Sequence, residues 1–577
     1  MKKNNILRYL GDYRKECVLS PIFKFLESAM ELFVPLVVAK IIDQGIPNKD
    51  DGFIWSASGI LLLFGTLGLA FAVCAQFFAA KASVGFGTKV RRELFVKIQS
   101  FPYSTLDKLG APTLITRITS DINQIQSGVN LTLRLVLRSP FIVFGSLIFA
   151  MTIDAKISSI FVVAILLLGL IVGGIMLINI PLYKKIQGKL DGVLMGVRNN
   201  LTGSRVVRAF NREEAEKDIF NAKNEELTTE QIKTGRIASL LNPLTFAVVN
   251  VAIVLIMRFG AVEVNIGTLT QGEVVALFNY MSQILIELIK LARLILNITK
   301  SIASGKRVQS VLDMESGELV VEAIEQTHSN AVVEFKNVSL IYDNAGAPSL
   351  TNISFTVNKG ETVGIIGGTG SGKTSLVNLI PRFYLCSDGE VLIDGKNVLT
   401  QDPAELRKKI HIVPQKATLF SGSIRENLLW GGLESDDRLW QALEIAQCKE
   451  VVENKDGGLD AVVAQDGRNF SGGQRQRLTV ARGLVGNPDI LILDDSSSAL
   501  DYATDAALRK AITEMENKPT TFIVSQRASS VLNADKIIVL DDGKMVGLGT
   551  HQELINSCKE YSEIYYSQFG KGGNDNE

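Results

Sequence analysis

ETVGIIGGTGSGKT, Glu361 to Thr374, decides how the C-terminal half of this 577-residue chain is read. Residues 361–366 form a short apolar run that predicts a strand. Gly367, Gly368, Thr369, Gly370, Ser371, Gly372, Lys373 and Thr374 follow as a glycine-rich turn, and a helix is expected to open at Lys373 and carry on through Ser375. A strand, a turn ending in Gly-Lys-Thr and a helix is the arrangement that cradles phosphates. The glycines let successive backbone N–H groups converge at the positive end of a helix. Lys373 is placed to pair with the outer phosphates, and the Thr374 hydroxyl to ligate Mg²⁺. Residues 331–565 around this stretch alternate short apolar strands with helices, which predicts an α/β domain.

Outward from that domain the composition changes. The chain carries 60 basic and 60 acidic residues, a balance that argues against a nucleic-acid partner. Mean hydropathy is +0.21, concentrated in residues 17–302. A helix needs about 20 apolar residues to cross a bilayer, and stretches near 18–44, 54–80, 130–153, 156–182, 237–263 and 271–299 qualify. The connections at 81–129 and 183–236 are long and rich in Lys and Arg, which places them in the cytoplasm. Both termini then lie inside a multi-pass cell-membrane protein. The long connections have helical periodicity, so they are expected to extend the membrane helices and to turn near Pro102–Leu109 and Arg205–Glu214, where they would touch the C-terminal domain. Residues 1–316 are read as an all-α six-helix transmembrane domain, 317–330 as a linker and 331–577 as the α/β P-loop domain. No cleavable signal is expected at the N-terminus, and Ile6, Leu7, Leu10 and Tyr13 share a helical face suited to the inner membrane surface. The cysteines, Cys17, Cys74, Cys386, Cys448 and Cys558, have no paired spacing and suggest neither a zinc site nor a disulfide framework.

Charges within the apolar stretches are costly and face a cavity or a partner. Glu27 and Glu31 share one face of the first helix, and Glu31 is the acid singled out for a cavity that accepts cationic or amphipathic substrates. Arg134, Arg138, Lys290 and Arg293 are read as snorkelling, with Glu287 paired to Lys290.

Further motifs complete the C-terminal domain. ILIL, Ile490 to Leu493, ends in Asp494, whose carboxylate joins Thr374 at the Mg²⁺ site. Gln415, in HIVPQKATLF, offers a carbonyl to the metal and can sense the outer phosphate. Tyr342 closes VVEFKNVSLIY and offers a ring to adenine. With SGSIRENLLWG, SGGQRQR from Ser471 and LILDDSSSALD, the chain resembles a half-transporter of the ATP-binding cassette (ABC) family, exporter type, over nearly its whole length. The resemblance implies two cassettes that sandwich two ATP molecules. Each ATP lies between the phosphate loop of one chain and Ser471, Gly472, Gly473 and Gln474 of the other, with Asp501 at the contact between the two sites.

Two positions depart from that pattern. The residue after the strand aspartate is Asp495 where the family carries a water-activating Glu, and Gln526 stands where it carries a His. Asp is one methylene shorter, so its carboxylate falls short by roughly 1–1.5 Å, and a misplacement of about 1 Å costs on the order of 100-fold in rate. Gln cannot take a proton as His can. Gln465, before the intact signature, is a third departure. The chain therefore resembles the degenerate-site subunit of a bacterial heterodimeric multidrug exporter. The resemblance implies a second half-transporter, membrane lipids and a hydrophobic small molecule as partners, and ATP with Mg²⁺ as ligands. A lipid or peptide exporter and an ATP-gated regulatory subunit are the alternatives.

Overall fold

The computed structural model describes residues 5–315, 331–343 and 345–570. They form two compact units. The first takes in the described residues up to Gln99 together with Pro112–Met314; the second takes in Ser100–Ala111 and the described residues from Glu315 onward. The expected linker at 317–330 lies outside the described residues.

In chain order the helices are α1 (Arg14–Lys40), α2 (Asp51–Gln99), α3 (Tyr103–Leu109, in the second unit), α4 (Ile122–Leu135), α5 (Arg138–Ile153), α6 (Ala155–Thr202), α7 (Ser204–Ala209), α8 (Glu213–Ser239), α9 (Leu241–Ile266) and α10 (Gln271–Leu312). α2 and α6 run without a break from their apolar halves into charged ones, so the long connections of the sequence are continuations of the spans. The short connections close by capping. The Asp154 carboxylate accepts the Ile157 amide at 2.7 Å and starts α6 with only Asp154 itself between it and α5. Gly267, at φ +85°, ends α9. Thr270 and Glu273 then form a reciprocal cap on α10, to which Asp43 adds bonds of 2.6 Å to the Thr270 hydroxyl and 2.7 Å to the Gly272 amide.

Among the described residues, five helical stretches are long and apolar enough to cross a membrane: Asp51–Gln99, Ala111–Ile153, Ala155–Thr202, Glu213–Ile266 and Gln271–Leu291. The sequence reading counted six. α1 falls out because Lys24, Glu27 and Glu31 sit together in its middle. α1 nonetheless packs along α2, and α10 packs along α4 and α5. Leu32, Phe161, Leu168, Ile256, Tyr280 and Met281 lie in the core they enclose. Small residues let the helices approach. A Cβ on Gly145 would stand 2.5 Å from Leu32, one on Gly128 2.2 Å from the Ser301 hydroxyl, and one on Gly272 2.2 Å from the Ala39 carbonyl oxygen.

The N-terminal segment departs from its expected face. Ile6–Tyr13 is a 3₁₀ turn, in which residues three apart eclipse. Ile6 and Tyr9 are therefore the buried pair, while Leu7 is exposed. The Ile6 amide donates to the Gln309 side chain of α10 at 2.7 Å, which ties the segment to the bundle.

The second unit is built on two principal sheets. β1 (Ala331–Leu340), β2 (Leu350–Asn358), β4 (Asp388–Ile393) and β5 (Lys396–Asn397) form an antiparallel sheet in the order β2-β1-β4-β5. β3 (Thr362–Gly367), β6 (Ile410–Val413), β9 (Ile490–Asp494), β10 (Thr520–Val524), β11 (Lys536–Asp541) and β12 (Lys544–Gly549) form the other, in the order β12-β11-β3-β10-β9-β6. Its strands are parallel except β12, which pairs antiparallel with β11. β7 (Gly422–Ser423) and β8 (Val462–Val463) make a small ribbon. The antiparallel sheet is an element that the alternating α/β reading did not separate. β10 lies between β3 and β9, with Val524 opposite both Ile365 and Asp494.

Alanine at Gly272 is expected to destabilise the protein by about 2 kcal/mol through overpacking against backbone. Alanine at Gly173 of α6, where nothing lies within 4 Å, is expected to be neutral or slightly stabilising. Thermal unfolding of the detergent-purified chain compares the two.

Candidate functional site

Parallel pairing brings the carboxyl ends of β3, β10 and β9 together, the place where open α/β sheets bind ligands. At the end of β3 the chain must pass close to β11, since a Cβ on Gly367 would stand 2.1 Å from the Leu540 carbonyl oxygen. Gly370 and Gly372, at φ +83° and +97°, carry the loop through left-handed conformations into α11 (Lys373–Leu379).

A cavity of about 410 Å³ opens at these strand ends. Thr369, Gly370, Gly372, Lys373, Thr374, Ser375, Gln415, Asp494, Asp495 and Gln526 line it. Residues far apart in sequence thus meet in one place. The Lys373 ammonium donates to the carbonyl oxygens of Gly367 at 2.9 Å and Gly368 at 2.6 Å. Burial pushes this ammonium down, against the pull of Asp495 and Asp494. Asp494 is 4% exposed and accepts the Thr374 hydroxyl at 3.0 Å. Burial raises its carboxyl above the usual range, with the Thr374 bond opposing.

This donor set fits Mg²⁺, a hard cation that takes hydroxyl, carboxylate and carbonyl oxygens. Thr374 and Asp494 are already in contact. The Gln415 amide nitrogen, the end that cannot ligate a metal, donates to Asp495 Oδ2 at 3.0 Å, which keeps its carbonyl oxygen for a cation. Glycines at positive φ beside a buried lysine suit the phosphates that such a cation accompanies.

The two departures occupy the same cavity. Asp495 follows Asp494 directly, in the left-handed region at φ +46°, and its amide donates to the Val524 carbonyl at 2.9 Å. This turn aims consecutive aspartates differently: Asp494 is buried and bound to Thr374, whereas Asp495 is half-buried and bound to Gln415. Gln526, two residues beyond β10, is exposed and lines the same cavity.

Other expected residues lie elsewhere. Tyr342 is not in that lining. It borders a neighbouring cavity with Phe383 and Tyr384, and its hydroxyl donates to Ser375 at 2.9 Å. Ser471 caps α12 (Gly472–Val485): its hydroxyl accepts the Gln474 amide at 3.3 Å, and its amide donates to the Gln474 side chain at 3.0 Å. Ser471 and Gly472 are exposed, and a Cβ on Gly472 would meet nothing within 4 Å. Asp501 caps α13 (Tyr502–Thr513) and accepts the Thr504 amide at 2.8 Å, which with the Thr504 hydroxyl holds its carboxyl below the usual range. Ser349, Asp542 and Gly543 also line the main cavity, and the sequence reading missed them. Their only local signal is the Asp-Gly turn between β11 and β12; the pairing of β11 with β3 brings that turn to the site.

In the first unit, both singled-out acids have partners. Glu27 pairs with Lys24 at 2.6 Å and Glu31 with Arg138 at 2.7 Å. Arg138 also faces Glu287 at 3.7 Å, Glu287 accepts the Ser139 hydroxyl at 3.0 Å, and Lys290 pairs with Glu287 at 2.8 Å.

Segment 100–111 joins the second unit through aromatic contacts. Tyr103 stacks on Phe383 with ring centroids 4.2 Å apart, and the Tyr384 hydroxyl donates to Asp107. The turn expected at Arg205–Glu214 is present as α7 and the residues after it, in the first unit, with Val206 and Phe210 exposed.

Comparison with known proteins covers both units. A family profile described as ABC transporter transmembrane region matches residues 17–288, and one described as ABC transporter matches residues 350–498. The chain is 36% identical over 572 residues to the uncharacterized ABC transporter ATP-binding protein YfiB of Bacillus subtilis, covering 99% of each. It is 26% identical over 570 residues to the ATP-dependent lipid A-core flippase of Vibrio vulnificus, covering 97% of this chain and 96% of that one. Its fold is similar to the solved structure of a bacterial Atm1-family ABC exporter with ATP bound, with a TM-score of 0.79 at 22% identity, over 97% of this chain and 99% of that one.

Lys373→Ala is expected to weaken binding of a fluorescent ATP analogue by about tenfold or more, the worth of a charge-assisted contact. Because burial raises Asp494, acidification neutralises it earlier than an ordinary carboxylate. The Mg²⁺ dependence of nucleotide binding is then expected to fade as pH drops toward the carboxylate range, and Asp494→Asn to abolish that pH step in a titration of bound analogue.

Proposed function

The chain belongs to the ATP-binding cassette transporter family, with the family's transmembrane region and its cassette in one polypeptide, and from that premise we propose that it is one half of a heterodimeric exporter of hydrophobic or amphipathic compounds, holding ATP at a slow site of its own. One observation carries this reading. Asp495 and Gln526, the two substituted hydrolytic positions, line a single cavity with an intact Lys373, Thr374 and Asp494, while the signature segment at Ser471 keeps its cap and its exposure.

In this reading Lys373 and the phosphate-loop amides bind and orient the ATP phosphates. Thr374, Asp494 and Gln415 hold Mg²⁺, which neutralises charge on the phosphate oxygens when bound. The carboxylate of Asp495 has to orient the attacking water, but it is short by one methylene and already engaged by Gln415. Gln526 can donate a hydrogen bond but cannot carry a proton. Tyr342, anchored to Ser375, offers its ring to adenine. Ser471 to Gln474 present a helix N-terminus to the ATP held by a partner chain, and Asp501 lies at the contact between the two sites.

Surface chemistry supports a second chain. The turn at 204–212 exposes Val206 and Phe210 and carries Arg205, Arg208 and Arg212. A cassette surface exposes Phe420, Trp430 and Leu433 beside Glu434, Asp436 and Asp437. Each exposes apolar side chains among charged ones, which suits contact with a second chain. In the transport cycle, ATP closes the paired cassettes, the cytoplasmic turns carry that motion to six membrane helices, α1 among them, and both termini stay in the cytoplasm. A lipid cargo is the second reading, and full-length likeness to a lipid A-core flippase favours it.

Purified alone in lipid, the chain is expected to bind ATP and to hydrolyse it slowly; brisk transport-coupled turnover by a homodimer defeats the proposal. Asp495→Glu is expected to raise turnover at this site only in part, and Asp495→Glu with Gln526→His to raise it by about 100-fold or more over the natural chain. Transport assays in inside-out vesicles with dyes and with lipids separate the two cargo readings.

A further inference from the structure

The loop that carries Gln526 is held from behind by α14 (Lys559–Phe569). Gln568 of that helix donates from Nε2 to the Gln526 carbonyl at 2.8 Å and accepts the Ala528 amide on Oε1, also at 2.8 Å. One side-chain amide thus grips the backbone on both sides of Arg527. The Arg527 guanidinium in turn donates to the carbonyls of Leu500 at 3.0 Å and Ser498 at 3.2 Å, and lies over the Tyr502 ring at 5.2 Å. Ser498 and Leu500 belong to the segment that begins at Asp495, whose carbonyl accepts both the amide and the hydroxyl of Ser498, and ends at Asp501. A second tie runs between the same two segments, from Ser497 to Ser530 at 3.3 Å and on from Ser530 to Asp505 at 3.0 Å.

We propose that Gln568 is a positioning residue for ATP hydrolysis: by fixing the backbone around Arg527 it sets Gln526 against Asp495 in the cavity, and Asp501 at the contact with the second cassette, as one unit. Gln568 does not line the cavity, so it acts on the reaction only through Arg527 and the loop. α14 has its own anchorage: Tyr561 is fully buried and its hydroxyl is 2.8 Å from His551 Nδ1. The helix therefore stays docked without Gln568, and removing that side chain frees the loop rather than the helix. A side-chain amide suits this place, because it offers a donor and an acceptor together to the two backbone groups that flank Arg527.

The inference rests on Asp495 and Gln526 forming the hydrolytic end of the site, as in the function proposed above. The experiment measures ATP turnover of the full-length chain alone in lipid, so that the rate read is that of the site holding Asp495 and Gln526. Gln568→Ala is expected to lower kcat about fivefold, the worth of a lost hydrogen bond, with KM for ATP, analogue affinity and melting temperature unchanged. Gln568→Glu, which still accepts the Ala528 amide but cannot donate to the Gln526 carbonyl, is expected to fall between. Arg527→Ala with Gln568→Ala is expected to be no slower than Arg527→Ala alone. The proposal is overturned by an unchanged kcat in Gln568→Ala, by a loss that appears in KM or melting temperature, or by losses that multiply in the double variant. These are ratios within one assembly, so they stand whether or not the chain's own site is slow; slow turnover of the chain alone tests that reading and not this one.

Discussion

The cassette depends on the backbone pairing of β10 with β3 on one side and β9 on the other. Parallel strands advance in register, so Val524 is opposite Ile365 and Asp494 at once. The phosphate loop leaves β3, the two aspartates end β9, and Gln526 follows β10, and these three ends come to one cavity for that reason. The Asp495 amide extends the same ladder by one bond, to the Val524 carbonyl, and then the chain turns through φ +46°. That turn separates two neighbouring carboxylates into two environments. One is buried against Thr374 and the other is half-exposed against Gln415. Asp serves at this turn because, like Asn, it tolerates positive φ at modest cost.

The membrane unit obeys a different constraint. Its helices gain little from burying apolar surface against one another in lipid, so close backbone approach and polar pairs hold them. Glycines at 128, 145 and 272 permit the approach. The charges pair across helices: Glu31 on α1, Arg138 on α5 and Glu287 on α10 meet at 2.7 and 3.7 Å, and Lys290 joins at 2.8 Å. Removing charges from water is costly unless they are paired, and here each has a partner on a neighbouring turn or helix. The sequence reading singles out Glu31, beside Glu27, for a substrate cavity; in three dimensions it is ion-paired with Arg138.

Much of this was legible in the sequence, and what was not has physical causes. The phosphate loop is a local motif: strand, glycines, lysine and helix are adjacent, and the structure keeps them so from Thr362 to Leu379. The cap at Ser471 is local too, since Ser and Gln three apart satisfy each other's backbone. The face of the N-terminal segment was misread because a 3.6-residue period was applied to a 3₁₀ turn, which repeats at three. Five of the six expected spans are apolar and long enough by themselves; α1 differs because Lys24, Glu27 and Glu31 lie in its middle.

Composition and motif order by themselves determined that this chain joins an apolar helical region to an α/β domain with a glycine-rich Lys-Thr loop, and that Asp495 and Gln526 stand where the family resemblance leads one to expect other residues. Those facts depend on residues close in sequence, where propensity and spacing act directly. Only the tertiary structure decided that Asp495 and Gln526 share a cavity, that Ser349 and Gly543 close its rim, that Glu31 is paired, and that Gln568 grips the loop beside Gln526. Each of these rests on strand order or helix packing between segments far apart in the chain, and no local period encodes which strand lies next to which.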